Sequence, residues 1–61
     1  MPEVTINAAA GRTPAQKKAL MKAIADAVVI HFSADPEQVV VQIVEVSRDD
    51  KSRGGIPFSE L

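Results

Sequence analysis

The chain has 61 residues, a net charge of −1 and no cysteine, tryptophan or tyrosine. This length predicts a single domain, residues 1–61, which buries too little surface to be very stable alone. The lack of cysteine excludes disulfides, and a lone histidine, His31, is too few for a histidine metal cluster, so oligomerisation is the expected source of stability. The charge balance and the two phenylalanines argue against binding to nucleic acid or a membrane, and the default location is cytoplasmic.

The first half of the chain predicts a strand followed by a helix. Apolar residues alternate over Pro2–Ala8, as in a strand with one buried face. Thr13 and Gln16 have the spacing of a capping box, and Pro14 takes the first helical position, so we expect a helix from Pro14 to about Phe32. Its expected apolar stripe comprises Leu20, Met21, Ile24, Ala25, Ala27, Val28, part of His31, and Phe32.

The second half predicts a strand that is apolar on both faces. It spans Val39–Val46, and since one helix covers one face, we expect another subunit to cover the other. Before it, Asp35 is placed to cap a single turn. After it, Ser47–Arg53 is expected to be a loop, Gly54-Gly55 a turn and residues 56–58 a short edge strand. The predicted fold is α+β: a β-α-β unit with parallel strands and a short C-terminal hairpin.

Position two offers the most distinctive candidate for chemistry. Because proline is small, Met1 is expected to be trimmed, which leaves Pro2 with a free secondary amine. Such an amine serves as a general base if its pKa approaches the working pH. The structural alternative is that Pro2 simply begins a strand. The adjacent Asp49 and Asp50 are better read as part of a solvated loop than as an acid–base pair.

The order of motifs resembles the 4-oxalocrotonate tautomerase family over nearly the whole chain. The shared features are Met1-Pro2, a strand, the string Gly11-Arg12-Thr13 followed by Gln16-Lys17, Glu45 at the end of the second strand, and Gly54-Gly55 before a short tail. The resemblance implies a β-α-β tautomerase subunit in a homohexamer built as a trimer of dimers. It also implies an isomerase that needs no cofactor or metal.

The resemblance assigns roles to individual residues. Pro2 corresponds to the proline that shuttles a proton in an enol or dienol. Arg12 corresponds to an arginine that binds the substrate carboxylate and lowers the proline pKa, and Ala9 to a backbone amide in the site. Independently, an arginine before a helix N-terminus is best explained if it faces an anion. The alternatives for Arg12 are a surface charge or an ion pair between subunits.

Two positions depart from the family pattern. Val40 stands where the family has a second substrate-binding arginine, and Lys51 where it has an aromatic residue. Arg53, Lys51 or Arg48 are candidates to replace the missing arginine. Arg53 is the first choice because it directly precedes the glycine pair, whereas Arg48 is better explained as a solvent charge.

The expected substrate is therefore a small carboxylate, either a 2-hydroxydienoate or a 2-oxo acid. The second hypothesis belongs to another class: a weakly active or non-catalytic subunit of a hetero-oligomer, whose partner chain supplies the missing arginine.

Overall fold

The computed structural model describes all 61 residues and contains one long helix beside a small sheet. The strands are β1 (Glu3–Ala9), β2 (Val40–Val46), β3 (Ser52–Arg53) and β4 (Ile56–Pro57), and the helix is α1 (Pro14–Phe32). Single 3-10 turns span Pro36–Gln38, Arg48–Asp50 and Phe58–Glu60. The α-helix does not combine the length and the apolar character that a membrane span requires.

Strands β1 and β2 pair in parallel, and α1 connects them, which confirms the predicted β-α-β unit. Ile6 lies opposite Ile43, and both side chains are half-buried. Thr5 lies opposite Gln42 on the other face, where the Gln42 side-chain amide donates to the Thr5 hydroxyl at 3.1 Å. The alternation predicted for the first strand is confirmed, with both strands beginning one residue later than expected.

Local hydrogen bonds fix both ends of α1. At the start, the Thr13 hydroxyl accepts from Gln16 N at 3.1 Å, and the Gln16 side chain accepts from Thr13 N at 2.9 Å, which is the predicted capping box. At the end, Ser33 adopts the left-handed conformation with φ 53°. Asp35 then caps the next turn by accepting from Glu37 N at 3.0 Å, as expected.

The face that α1 presents to the sheet differs in part from the predicted stripe. The half-buried positions are Lys17, Met21, Ile24, Ala25, Val28 and Val29. Phe32 was expected on the buried stripe but is 72% exposed in the chain. Leu20 is 44% exposed because it lies at the edge of the helix–sheet contact. The apolar spacing correctly placed Met21, Ile24, Ala25 and Val28, but it included the exposed Ala27 and missed the half-buried Val29.

The segment after β2 is more ordered than the loop predicted over Ser47–Arg53. Ser47 caps the Arg48–Asp50 turn by accepting from Asp49 N at 3.2 Å. Strands β3 and β4 then form an antiparallel hairpin in which Arg53 pairs with Ile56. Gly54 and Gly55 both have positive φ, as a tight hairpin turn requires. The predicted edge strand ends at Pro57, because Phe58 begins a 3-10 turn.

The chain has no closed hydrophobic core. None of its residues is fully buried, and the molecule measures 43 × 23 × 13 Å. Its radius of gyration is 14.5 Å, whereas a compact domain of this length has about 10.5 Å. Its surface of 4653 Å² also exceeds the roughly 3,800 Å² typical of a folded monomer of this mass. The fold is thus a thin, elongated layer of one helix on one sheet.

One face of the sheet is left uncovered by α1. Val40 and Val44 project from this open face, and they are 38% and 41% exposed. They flank Gln42 on β2, opposite Glu3 and Asn7 of β1. The predicted double-sided apolar strand is therefore present, with only one side covered within the chain.

Candidate active site

A cleft of about 560 Å³ lies at the carboxyl ends of β1 and β2, beside the start of α1. In α/β units, ligands commonly bind outside the carboxyl ends of the strands. The cleft is formed by the sheet, the helix and the C-terminal hairpin region together. Its lining comprises Ile6, Ala8, Ala9, Arg12, Lys17, Leu20, Ile43, Glu45, Arg48, Arg53, Phe58 and Leu61.

The floor of the cleft is apolar and its rim is cationic. Ile6 and Ile43, which pair across the two strands, contribute the floor together with Leu20 of α1. Arg12 enters from the turn between β1 and α1, directly after Gly11. Gly11 has φ 134°, which side-chain-bearing residues rarely adopt, so glycine is needed to turn the chain at this point.

The position of Arg12 at the helix start adds to the anion-binding character of the cleft. Backbone N–H groups of the first helical turn carry partial positive charge, and α1 has no acidic residue in this turn. A planar guanidinium can bind a carboxylate through two parallel hydrogen bonds. This end of the cleft therefore suits a carboxylate, whose carbon skeleton would lie on the apolar floor.

Four cations and one anion line the cleft. Lys17 Nζ donates to Glu45 Oε1, and the two side chains are 30% and 28% exposed. This pair links α1 to the end of β2 and neutralises the lysine. Arg12, Arg48 and Arg53 form no ion pair within the chain. The cleft thus carries an excess of positive charge that is concentrated on these guanidinium groups.

Arg53 contacts the ring of Phe58. Its Cζ atom lies 5.5 Å from the ring centroid, within the usual range of a cation–π interaction. Phe58 is half-buried, and its N–H donates to Lys51 O at 2.7 Å. The hairpin and the following turn therefore hold both partners of this contact.

Pro2 lies outside the cleft lining, at the opposite end of β1 from Arg12. Its carbonyl accepts from Val40 N at 2.9 Å, next to the start of β2. The seven residues of β1 separate Pro2 from Ala10, and at ~3.3 Å per residue they span about 23 Å. Within one chain, Pro2 and Arg12 are too far apart to act on the same small molecule.

The structure brings together three of the four predicted site residues. Ala9, Arg12 and Arg53 line one cleft, whereas Pro2 lies away from it. Arg48, which was expected to be a solvent charge, also lines the cleft, while Lys51 does not. Arg48 is exposed, as expected of a solvent charge, and it reaches the cleft lining from a 3-10 turn in a segment that was expected to be an irregular loop.

Comparison with known proteins gives a consistent result. A family model described as "Tautomerase enzyme" matches residues 2–60. A probable tautomerase of Bradyrhizobium diazoefficiens is 42% identical over 60 residues, which cover 98% of this chain and 90% of that protein.

Solved structures share the whole fold. A 4-oxalocrotonate tautomerase homologue superimposes with a TM-score of 0.93 at 28% identity, over 100% of this chain and 97% of that one. A heterohexamer 4-oxalocrotonate tautomerase from Chloroflexus aurantiacus superimposes with a TM-score of 0.89 at 31% identity, over 100% and 98% of the two chains. The likeness therefore extends from the first strand to the C-terminal hairpin.

Proposed function

The chain belongs to the tautomerase family, and on that premise we propose that residues 1–61 form one tautomerase domain acting as a cofactor-independent isomerase. The proposed reaction is keto–enol proton transfer on a small 2-hydroxydienoate or 2-oxo acid. The cleft carries this proposal, because it combines an apolar floor with unpaired arginines. A conjugated carbon skeleton that bears a carboxylate matches both parts.

Pro2 is the proposed general base, in the form it takes once Met1 is removed. Met1 is 81% exposed, which makes it accessible to processing. Ordinary α-amino groups ionise near pH 7.7–8.0, about one unit from neutrality. Such a group accepts and returns a proton efficiently at physiological pH. The hydrogen bond from Val40 N to the Pro2 carbonyl fixes the backbone beside the amine.

In the proposed reaction, the Pro2 amine removes a proton from one position of the substrate. The ammonium so formed returns a proton to a different atom of the conjugated system, so the substrate changes only in the position of a hydrogen and a double bond. Arg12 binds the substrate carboxylate. The Ala9 backbone amide and Arg53 assist in binding and in stabilising negative charge that develops on the carbonyl oxygen.

The proposed site is shared between copies of the chain. Pro2 lies roughly 23 Å along β1 from the end of the strand that leads into Arg12. A complete site therefore needs Pro2 of one copy beside Arg12 and Arg53 of another. The uncovered face with Val40 and Val44 supports the same conclusion, because this face requires a partner. We propose a homohexamer, arranged as a trimer of dimers.

A hetero-oligomer is the second candidate. Val40 lies next to Pro2 and is apolar, whereas the family resemblance implies an arginine at this position. The similar protein from Chloroflexus aurantiacus is described as a heterohexamer. In this alternative, the chain has little activity alone and a second type of chain supplies the missing cation.

The test combines intact mass with turnover of 2-hydroxymuconate and phenylenolpyruvate. We expect a mass without Met1 and turnover by the wild-type chain. Pro2→Ala keeps a terminal primary amine and should lose only part of kcat, whereas a form that retains Met1, in which the Pro2 nitrogen is an amide, should lose at least about 100-fold in kcat, in the range that general-base catalysis contributes. Lys18→Gln is the control, because Lys18 is exposed on α1 and does not line the cleft. Undiminished turnover by the form that retains Met1 would contradict the role of Pro2 as the base. A processed but inactive wild-type chain that gains activity with a partner chain would favour the hetero-oligomer.

A further inference from the structure

Phe58 is the only aromatic residue that lines the cleft, and the proposed proton transfer does not use it. It contacts Arg53, whose Cζ atom is 5.5 Å from the ring centroid. Arg53 has no carboxylate partner in the chain, in contrast to Lys17, which Glu45 neutralises. The ring is therefore the one group seen to hold the Arg53 guanidinium in place.

Both partners of this contact are held by backbone hydrogen bonds. Arg53 pairs with Ile56 in the β3–β4 hairpin, and Gly54 and Gly55 close its turn. Phe58 directly follows this hairpin, and its N–H donates to Lys51 O at 2.7 Å. The backbone of both residues is thus fixed at the side of the cleft, and the ring contact is what positions the exposed Arg53 side chain.

A cation–π contact uses none of the hydrogen-bond donors of the guanidinium, so the N–H groups of Arg53 stay available to a ligand. The free donors are the part of Arg53 that recognises a carboxylate. A long side chain loses rotamer freedom when it binds a ligand, and prior positioning reduces this loss. Phe58 thus prepares Arg53 for binding without occupying the groups that bind.

We propose that Phe58 is a positioning residue that holds Arg53 to bind a second carboxylate of the substrate, opposite the one bound by Arg12. This inference rests on the proposed function for the identity of the cleft as the substrate site. The cleft supplies cations to match two carboxylates, since Arg12 comes from the β1–α1 turn and Arg53 from the hairpin. Arg53, from another part of the chain, then binds the carboxylate that the family's second arginine would bind at the position of the uncharged Val40.

Binding of two matched ligands tests the proposal without requiring turnover. Muconate and sorbate share a six-carbon diene acid, but sorbate has a methyl group in place of the second carboxylate. We expect wild-type protein to bind muconate more tightly than sorbate by calorimetry. Arg53→Gln should weaken muconate binding roughly tenfold or more, and Phe58→Leu about three- to fivefold. Both variants should leave the sorbate Kd within about twofold.

Three further variants separate positioning from a general structural role. Phe58→Tyr retains the ring and should retain the preference for muconate. Lys51→Gln removes a cation from the same segment but not from the cleft lining, and it should bind both ligands as the wild type does. In the Arg53→Gln background, Phe58→Leu should cause no further loss of muconate binding, because the ring then has no guanidinium to position.

Several outcomes would overturn the inference. If Phe58→Leu weakened the binding of muconate and sorbate equally, the ring would have a packing role alone. If the losses of muconate binding were additive in the double variant, Phe58 would not act through Arg53. A wild type without preference for muconate would show that Arg53 binds no second carboxylate. Failure of the proposed isomerase would instead appear as absence of turnover by the processed wild-type chain, whichever ligand the cleft prefers.

Discussion

In the proposed function, Arg12 is the single residue on which recognition of a carboxylate most depends. It follows Gly11, precedes the capped start of α1 and lines the cleft without an ion-pair partner. A cation at this position is disfavoured by the helix dipole, so it lowers the stability of the empty protein slightly. A bound anion reverses this effect, because it interacts favourably with both the guanidinium and the helix start.

We therefore expect Arg12→Gln to reduce kcat/KM for carboxylate substrates by roughly 10- to 100-fold, since a charged hydrogen bond contributes about 1.5–3 kcal/mol. Steady-state kinetics on 2-hydroxymuconate provide the measurement. Lys18→Gln is the matched control, because Lys18 is exposed on α1 and does not line the cleft. Equal kinetics for Arg12→Gln and the wild type would remove Arg12 from the proposed site.

The arginines of the cleft show what sequence can and cannot predict about single residues. Arg12 could be singled out because an arginine before a helix cap needs an explanation, and Arg53 because it borders the hairpin glycines. Arg48 and Lys51 could not be ranked in this way. Both follow β2 within a polar segment, and only the 3-10 turn over Arg48–Asp50 decides which one lines the cleft.

Among the elements, α1 is the one whose ends are defined most sharply by the sequence. Its N-terminal capping box was predictable because Thr13, Pro14 and Gln16 satisfy local backbone groups by themselves. Its buried face was less predictable, because the edge of the sheet decides where the contact ends. Leu20 and Phe32 have the correct helical spacing but are 44% and 72% exposed in the chain.

The C-terminal end of α1 contains a local strain that can be relieved. Ser33 has φ 53° and ψ 40°, and a side chain in this left-handed region costs about 1–2 kcal/mol. Glycine lacks this cost but loses more backbone entropy on folding. We expect Ser33→Gly to raise the free energy of unfolding by roughly 0.5–1 kcal/mol, measured by urea denaturation at a fixed chain concentration.

Ser33→Ala is the matched variant for this measurement, because it removes the hydroxyl and keeps the Cβ atom that causes the strain. It should unfold within about 0.5 kcal/mol of the wild type. A loss of stability in Ser33→Gly would mean that the serine side chain stabilises the chain more than its backbone conformation costs.

At the scale of the whole molecule, the missing core is the main feature. A layer 13 Å thick with no fully buried residue leaves apolar side chains such as Val40 and Val44 accessible to water. Small chains of this kind usually gain stability from association. Sequence reasoning anticipated this point, because β2 is apolar on both faces while the chain has only one helix to cover it.

Val44→Asp tests whether the open face is an interface between copies. A carboxylate buried there without a partner costs about 3 kcal/mol or more, which would weaken association at least ~100-fold. We expect analytical ultracentrifugation to show a shift from the wild-type assembly to smaller species. Ala19→Asp puts the same group on the exposed side of α1 and should leave the mass of the assembly unchanged. An unaltered assembly in Val44→Asp would place the interface elsewhere.

The distance along β1 between Pro2 and the cleft has a consequence for how such a protein evolves. Under the proposed mechanism, a chain that loses its proline still offers its cleft to a neighbour, and a chain with a damaged cleft still donates its proline. After gene duplication, two copies can therefore lose different halves of the site and remain functional together. A mixed assembly would then be maintained because neither descendant works alone, even if mixing brought no advantage at the outset.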